Sequence, residues 1–307
     1  MRNLPNAMAC LLAACSLTLL PACETMQAVS EIGARVGQEA GVLTPQQSQS
    51  VKQAVVAVGQ TFAAINPEQE YYLGRTVAAV VLNRYRSWDN PEANHYLNIL
   101  GQTLAQFSDR PETFGGYHFL ILDTAEVNAF AAPGGLIFVS RGMLRCCQSE
   151  DALAAVLAHE IGHVEKQHGV QAIKKSRLTS SLTLLATEGA KSFGGAELAQ
   201  LTEDFAGSVQ DITSTLMNSG YARASERQAD QAALQILQRA GYDPRALVSM
   251  LAEMKKHLQP GGLDFAKTHP APDVRIAELQ SLLAASPASR PAPPARQARF
   301  RQALAKL

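Results

Sequence analysis

Residues 149–169 read SEDALAAVLAHEIGHVEKQHG, and inside them His159-Glu160-Ile161-Gly162-His163 spell HExxH. Ser149 is a helix-capping residue, and Glu150 and Asp151 place negative charge at the positive end of the helix dipole. Leu153, Val156, Leu157, Ile161 and Val164 recur at helical spacing as a buried stripe, and Gly169 is the expected stop. Positions i and i+4 of a helix project from one face, so both imidazoles can reach one metal ion. Glu160 then lies beside the ion without binding it. There it can act as general base towards water and afterwards protonate a leaving amine. Zinc suits this chemistry, because it lowers the pKa of a bound water to about 7 and has no redox side reactions. The competing reading is two hydrogen-bonded histidines on an ordinary helix.

A catalytic zinc usually takes three protein ligands and a water, so two imidazoles leave the set incomplete. Downstream, Tyr221-Ala-Arg-Ala-Ser-Glu226-Arg-Gln-Ala-Asp230 again spaces two polar residues by one helical turn, on a helix continued by Ala233, Ile236 and Leu237 and ended before Gly241. With Glu226 as third ligand, Asp230 is placed to accept the second N–H of a ligating histidine, which fixes its tautomer. The alternative is a solvated helix face on which Arg223 and Arg227 pair with the two acids.

These motifs resemble the minigluzincin zinc metallopeptidases related to CAAX prenyl proteases. The HEIGH and ExxAD motifs match, and so do Asn128-Ala-Phe-Ala-Ala-Pro-Gly-Gly-Leu-Ile-Phe-Val139, Gly241-Tyr-Asp-Pro244, Thr268-His269-Pro270 and Arg275-Ile276. Ala222 departs from the Ser that many relatives carry there, without touching a ligand. The resemblance covers about residues 67 to 285. It implies an α+β, predominantly helical, zincin-like domain with a small β-sheet beside the HExxH helix. It also implies one Zn2+ per chain, held by His159, His163 and Glu226, and a role in degrading misfolded or misassembled proteins of the bacterial envelope. Two rivals remain: a chaperone-like assembly factor for the outer membrane, and a peptidoglycan amidase.

The chain has 307 residues, 47% of them apolar, enough for one good-sized core. Its formal net charge is zero, and no basic stripe interleaved with aromatics suggests nucleic acid. Residues 1–22 read as a signal peptide, with Arg2 ahead of an apolar core over residues 8–20 that is too short to span as a mature helix. Leu20-Pro21-Ala22-Cys23 resembles a lipobox, which makes Cys23 the expected lipidation site. Leu12-Ala13-Ala14-Cys15 is the alternative. Glu24 after the anchor favours the periplasmic face of the outer membrane, with a soluble periplasmic protein as the alternative. Cys146 and Cys147, adjacent and unsuited to bonding each other, are expected to be two partly buried thiols.

Residues 23–66 read as a lipid tether followed by a helix over 46–64, and residues 67–285 as the metallopeptidase domain. Asn66-Pro67 starts a helix over 67–86, and another covers about 91–107. Strands are expected at 117–122 and 136–139, around the Pro133-Gly134-Gly135 turn, with helices from 149 to 285. In residues 170–220, charges interrupt every apolar run before it reaches the roughly 20 residues needed to cross a membrane. Residues 286–307 read as a Pro/Ala-rich linker and a short basic tail that touches anionic lipid or stays solvated. Leu136, Ile137, Phe138 and Val139 are the expected substrate-binding strand, with an extended, unfolded substrate adding to their sheet. His269, stiffened by Pro270, is either a fourth donor that substrate must displace or a cap for the helix near Asp273.

Overall fold

In the computed structural model, the described residues are 65–175, 220–257, 269, 272–284 and 291–307. The expected leader, Cys23, the tether and the helix over 46–64 lie outside them. Helix α1 (Pro67–Arg84) starts as its sequence dictates. Asn66 Oδ1 accepts from the Gln69 backbone, Gln69 Oε1 accepts from the Asn66 backbone, and Pro67 fills the first position, where no N–H is missed. Helix α2 (Pro91–Ala105) starts with Asn90, whose side chain accepts from Ala93 N, and Pro91, without the return bond that Gln69 makes in α1.

Three strands follow: β1 (His118–Leu122), β2 (Ala129–Ala132) and β3 (Leu136–Ser140). Their order in the sheet is β1-β3-β2, with β1 parallel and β2 antiparallel to β3. β1 and β3 carry the run of β-branched and aromatic residues that announces a strand, whereas β2 has one such residue, Phe130, among alanines. The alanine-rich β2 is drawn into the sheet by a tight Pro133–Gly135 turn, where Gly134 takes φ 76°. This topology corrects one expectation. Leu136, Ile137, Phe138 and Val139 lie on the central strand, whose two edges are both taken, so they cannot receive a substrate strand.

The outer edge of β1 is closed as well. Asn98 Oδ1 accepts from Phe119 N and its Nδ2 donates to Phe119 O, Asn94 Oδ1 accepts from Ile121 N, and Gln102 Nε2 donates to Tyr117 O. Three carboxamides, one per turn of α2, thus stand in for a neighbouring strand.

After the short α3 (Arg141–Cys146) comes α4 (Glu150–Glu165), the HExxH helix. Ser149 caps it, as expected, accepting from Ala152 N. Every residue of α4 except Glu165 is buried, so this helix runs through the core rather than along its surface. It ends earlier than Gly169. Gln167 takes φ 54°, a left-handed conformation uncommon outside glycine, and the chain is helical again over 168–175. Cys146 and Cys147 are free and buried; burial pushes the Cys146 thiol up to about 11 and that of Cys147 higher, which keeps both unreactive.

Helix α5 (Arg223–Arg239) lies along α4, followed by α6 (Arg245–His257), α7 (Pro272–Leu283) and α8 (Pro294–Ala303). The basic α8 is neither a free tail nor available to lipid through its first arginines. Arg299 binds Glu150 with two donors, and Arg296 reaches Asp151, the Gly241 carbonyl and the face of Tyr242. Tyr96 and Tyr242 also donate to Glu150, which is buried. The acids that read as dipole partners therefore also anchor the end of the chain. No helix among the described residues is long and apolar enough to cross a membrane.

The contact between α4 and α5 turns on Gly162. A Cβ there would lie 2.8 Å from Ala229 O and 3.1 Å from Ala232 Cβ. Gly162→Ala gains about 1 kcal/mol of helix propensity, but overpacking costs about 1–3 kcal/mol. The expected net result is a less stable chain with weaker metal binding, read by urea unfolding and zinc titration; an unchanged midpoint would show that the helices separate freely.

Candidate metal centre

Two helices held this closely bring their polar residues together at one point. His159 Nε2 lies 3.1 Å from His163 Nε2 and 3.5 Å from Glu226 Oε2, and His163 Nε2 lies 3.4 Å from Glu226 Oε1. Ligands held about 2.1 Å from a tetrahedral ion are separated by about 3.4 Å. The three separations therefore suit a single zinc. With His269, the donor atoms all lie within 4.8 Å of one another, and all four residues are buried.

The unsatisfied atoms point the same way. Among the described residues, both oxygens of Glu160 and Oε1 of Glu226 are buried without a hydrogen-bond partner. Such groups are costly in an apolar core unless an ion or water meets them.

Electrostatics separate the two acids. Burial pushes the Glu160 carboxyl above the usual carboxylate range, so it can hold a proton that an exposed glutamate would lose. Burial would also raise Glu226, but His269 and His163 beside it hold it well below that range. The two imidazoles differ as well. Burial pulls His163 well below its ordinary value, whereas hydrogen bonds to Asp230 and Glu226 overcome burial and carry His159 up to about 9.

Asp230 stands where its spacing put it, one turn beyond Glu226, with Oδ1 2.9 Å from His159 Nδ1. It also takes two hydrogen bonds from Arg275, from Nε at 3.0 Å and Nη2 at 2.6 Å. His269 Nδ1 lies 2.6 Å from Glu226 Oε2, so its ring is turned towards the donor set. The solvated-face reading of the second motif fails: Glu226 and Asp230 are buried, while Arg227 pairs with Glu278 across the surface.

Three residues of this centre went unread as site residues. Arg275 reads in the sequence only as part of a motif, because its partner is 45 residues away in the chain. Tyr221 stacks on His163, with ring centroids 4.3 Å apart, and donates to Ala131 O. His168 contacts His163 Nδ1 through its own Nδ1 at 3.0 Å. The spacing His159-x3-His163-x4-His168 was the available signal for this last one.

Fold and donor set are those of a zincin-like metallopeptidase domain. The chain belongs to peptidase family M48, whose family model matches residues 91–283. It is similar to the β-barrel assembly-enhancing protease of Escherichia coli (strain K12), 30% identical over 199 residues that make up 63% of this chain and 39% of that protein. It is also similar to the mitochondrial metalloendopeptidase OMA1 of Schizosaccharomyces pombe, 34% identical over 162 residues, 51% of this chain and 43% of the relative. The chain thus spans about two fifths of the length of the relatives it matches.

Asp230 supplies a test in acid. Burial would raise its pKa, but Arg275 and His159 lower it from 3.8 to about 2. A depressed carboxylate adds stability that is fully present above its unfolded pKa and is lost as pH falls through its folded one. The contribution is about 2 kcal/mol and should fade between about pH 4 and pH 2. Asp230→Asn should lower stability at neutral pH by about 3 kcal/mol, since a buried charge pair loses one member. Its unfolding free energy should also fall less steeply than the wild type's between pH 4 and 2. An equally steep fall would show that Asp230 is not the titrating group.

Proposed function

We propose that this chain is a zinc-dependent endopeptidase of the bacterial cell envelope that degrades misfolded or misassembled proteins, with Glu160 as its general base and acid. The observation that carries the reading is the buried, unsatisfied carboxylate of Glu160 beside a three-sided donor set. His159, His163 and Glu226 would hold the ion, with Asp230 orienting His159. A zinc bound there supplies a Lewis acid for the scissile carbonyl and makes water nucleophilic near neutral pH. Glu160 takes the proton of the attacking water and hands it to the leaving nitrogen. Its raised pKa suits the second half of that task, because the carboxyl keeps the proton until the amine can take it.

The substrate strand moves to β2. That strand has β3 on one side and, among the described residues, no strand on the other. The Ala131 carbonyl points outward, where Tyr221 now meets it. A peptide added there is gripped through its backbone, which favours extended, unfolded chains over compact ones and leaves side-chain selectivity loose. The envelope setting goes with this reading. It is supported by the sequence around Cys23 and by the name of the Escherichia coli relative, and it places the protein on the periplasmic face of the outer membrane with the assembly machinery as a partner.

The test is proteolysis of an unfolded protein such as reduced casein. Glu160→Gln should keep one zinc per chain, because no ligand is lost, and should cut at least about a hundredfold more slowly. Near-normal cleavage by this variant would refute the mechanism. Wild-type protein that binds zinc and unfolded chains yet cuts nothing would favour the chaperone-like or amidase readings.

His269 belongs to the same proposal as a fourth donor that substrate displaces. Its place within 4.8 Å of the other donors and its contact with Glu226 support this. His269→Ala should then stay folded, keep its zinc and cut unfolded protein faster in a progress-curve assay. Slower cleavage with zinc retained would mean that the ring holds Glu226 in place instead of blocking the site.

A further inference from the structure

His159 and His163 are held from behind in different ways. His159 Nδ1 lies 2.9 Å from the Asp230 carboxylate, which can only accept, and farther, at 3.2 Å, from Nη2 of Arg275, whose own closer bond runs to Asp230; the carboxylate therefore favours the proton on Nδ1 and leaves Nε2 as the ligand atom. Among the described residues, no carboxylate stands behind His163. Its Nδ1 lies 3.0 Å from Nδ1 of His168, and Nε2 of His168 lies 2.9 Å from Oε1 of Gln228. His168 is buried and reaches this position because the left-handed Gln167 ends α4 and lets the chain restart as a new helix.

Two ring nitrogens 3.0 Å apart share one proton where no ion would lie between them, as one would between Nε2 of His159 and of His163, since two lone pairs repel and two N–H groups collide. The ends of the chain decide which nitrogen holds it. A carboxamide oxygen at Gln228 requires an N–H at His168 Nε2, which leaves His168 Nδ1 as an acceptor. His163 must then carry its proton on Nδ1, and its Nε2 is a bare lone pair. That nitrogen faces His159 Nε2 and Glu226 Oε1. Turned by a half rotation, the same carboxamide would offer its NH2 group, reverse every bond in the row and put the proton on the ligand nitrogen.

We propose that His168 is a positioning residue for the metal: with Gln228 it forms a one-way hydrogen-bond relay that sets His163 in the tautomer able to bind zinc. This rests on the zinc reading of the donor set. Partners of this kind behind a metal ligand typically change affinity about ten- to a hundredfold.

Gln228 is exposed on α5, so it can be varied without disturbing the core. The full chain is titrated with zinc against a fluorescent chelator, and the zinc-free chain is examined by long-range 1H–15N NMR, which reports the protonated nitrogen of each histidine. In the wild type, His163 should show N–H at Nδ1 and His168 at Nε2. Gln228→Glu, which can only accept, should preserve both tautomers and bind zinc within about threefold of the wild type. Gln228→Lys, which can only donate, should move the His163 proton to Nε2 and weaken zinc about ten- to a hundredfold. His168→Phe should weaken zinc by a similar factor, and Gln228→Met, which can do neither, should fall between the Glu and Lys variants. The proposal is overturned if wild-type His163 carries its proton on Nε2, or if Gln228→Lys leaves the His163 tautomer and the zinc affinity unchanged. Failure of the wild type to take up zinc would overturn the metal reading itself, with the NMR tautomers still reporting the relay separately.

Discussion

Everything in this domain depends on two helices touching at Gly162. The absence of one side chain lets α5 approach α4 until Ala229 meets its backbone, and Ala229 lies between Glu226 and Asp230. The same contact therefore sets how far both acids reach across. Glu226 arrives at the two imidazole nitrogens and Asp230 at the back of His159. A methyl group in the gap would act on every one of these distances at once. Gly162 carries about 1 kcal/mol of lost helix propensity for the sake of this geometry.

Burial of α4 on all sides has a second effect. With almost no water along the helix, each polar group on it needs a named partner, and the neighbouring elements are organised to supply them. Asp230 and Arg275 serve His159, His168 and Gln228 serve His163, and the arginines of α8 with two tyrosines serve Glu150. Glu160 alone on α4 has two buried oxygens that no described residue meets. In a core satisfied this thoroughly, an orphaned carboxylate marks where a substrate or ion belongs.

Much of this was legible in the sequence, and the readable parts share a cause. Asn66-Pro67, Ser149 and the spacing of His159, His163, Glu226 and Asp230 are local signals, governed by caps and by the 3.6-residue turn. The misread parts involve distant partners. Ala129–Ala132 has a single strand-favouring residue, Phe130, and joins the sheet because the Gly134 turn folds it back on β3. Leu136–Val139 reads as a strand open to substrate because nothing local says which strands flank it. Arg296 and Arg299 looked like a solvated tail, since Glu150 and Asp151 lie about 145 residues earlier in the chain. Gly169 looked like the helix stop because glycine usually is one, whereas the chain turns at Gln167.

The carboxamides of α2 along β1 have a consequence beyond satisfying hydrogen bonds. A fibre of stacked sheets needs two bare edges on every unit, one to join the layer below and one to receive the layer above. Asn94, Asn98 and Gln102 remove one of them. The described sheet can therefore be extended from β2 alone, so copies of this domain cannot stack edge on edge through both sides of it. The domain can thereby end a stack of sheets but cannot serve as a repeating layer within one.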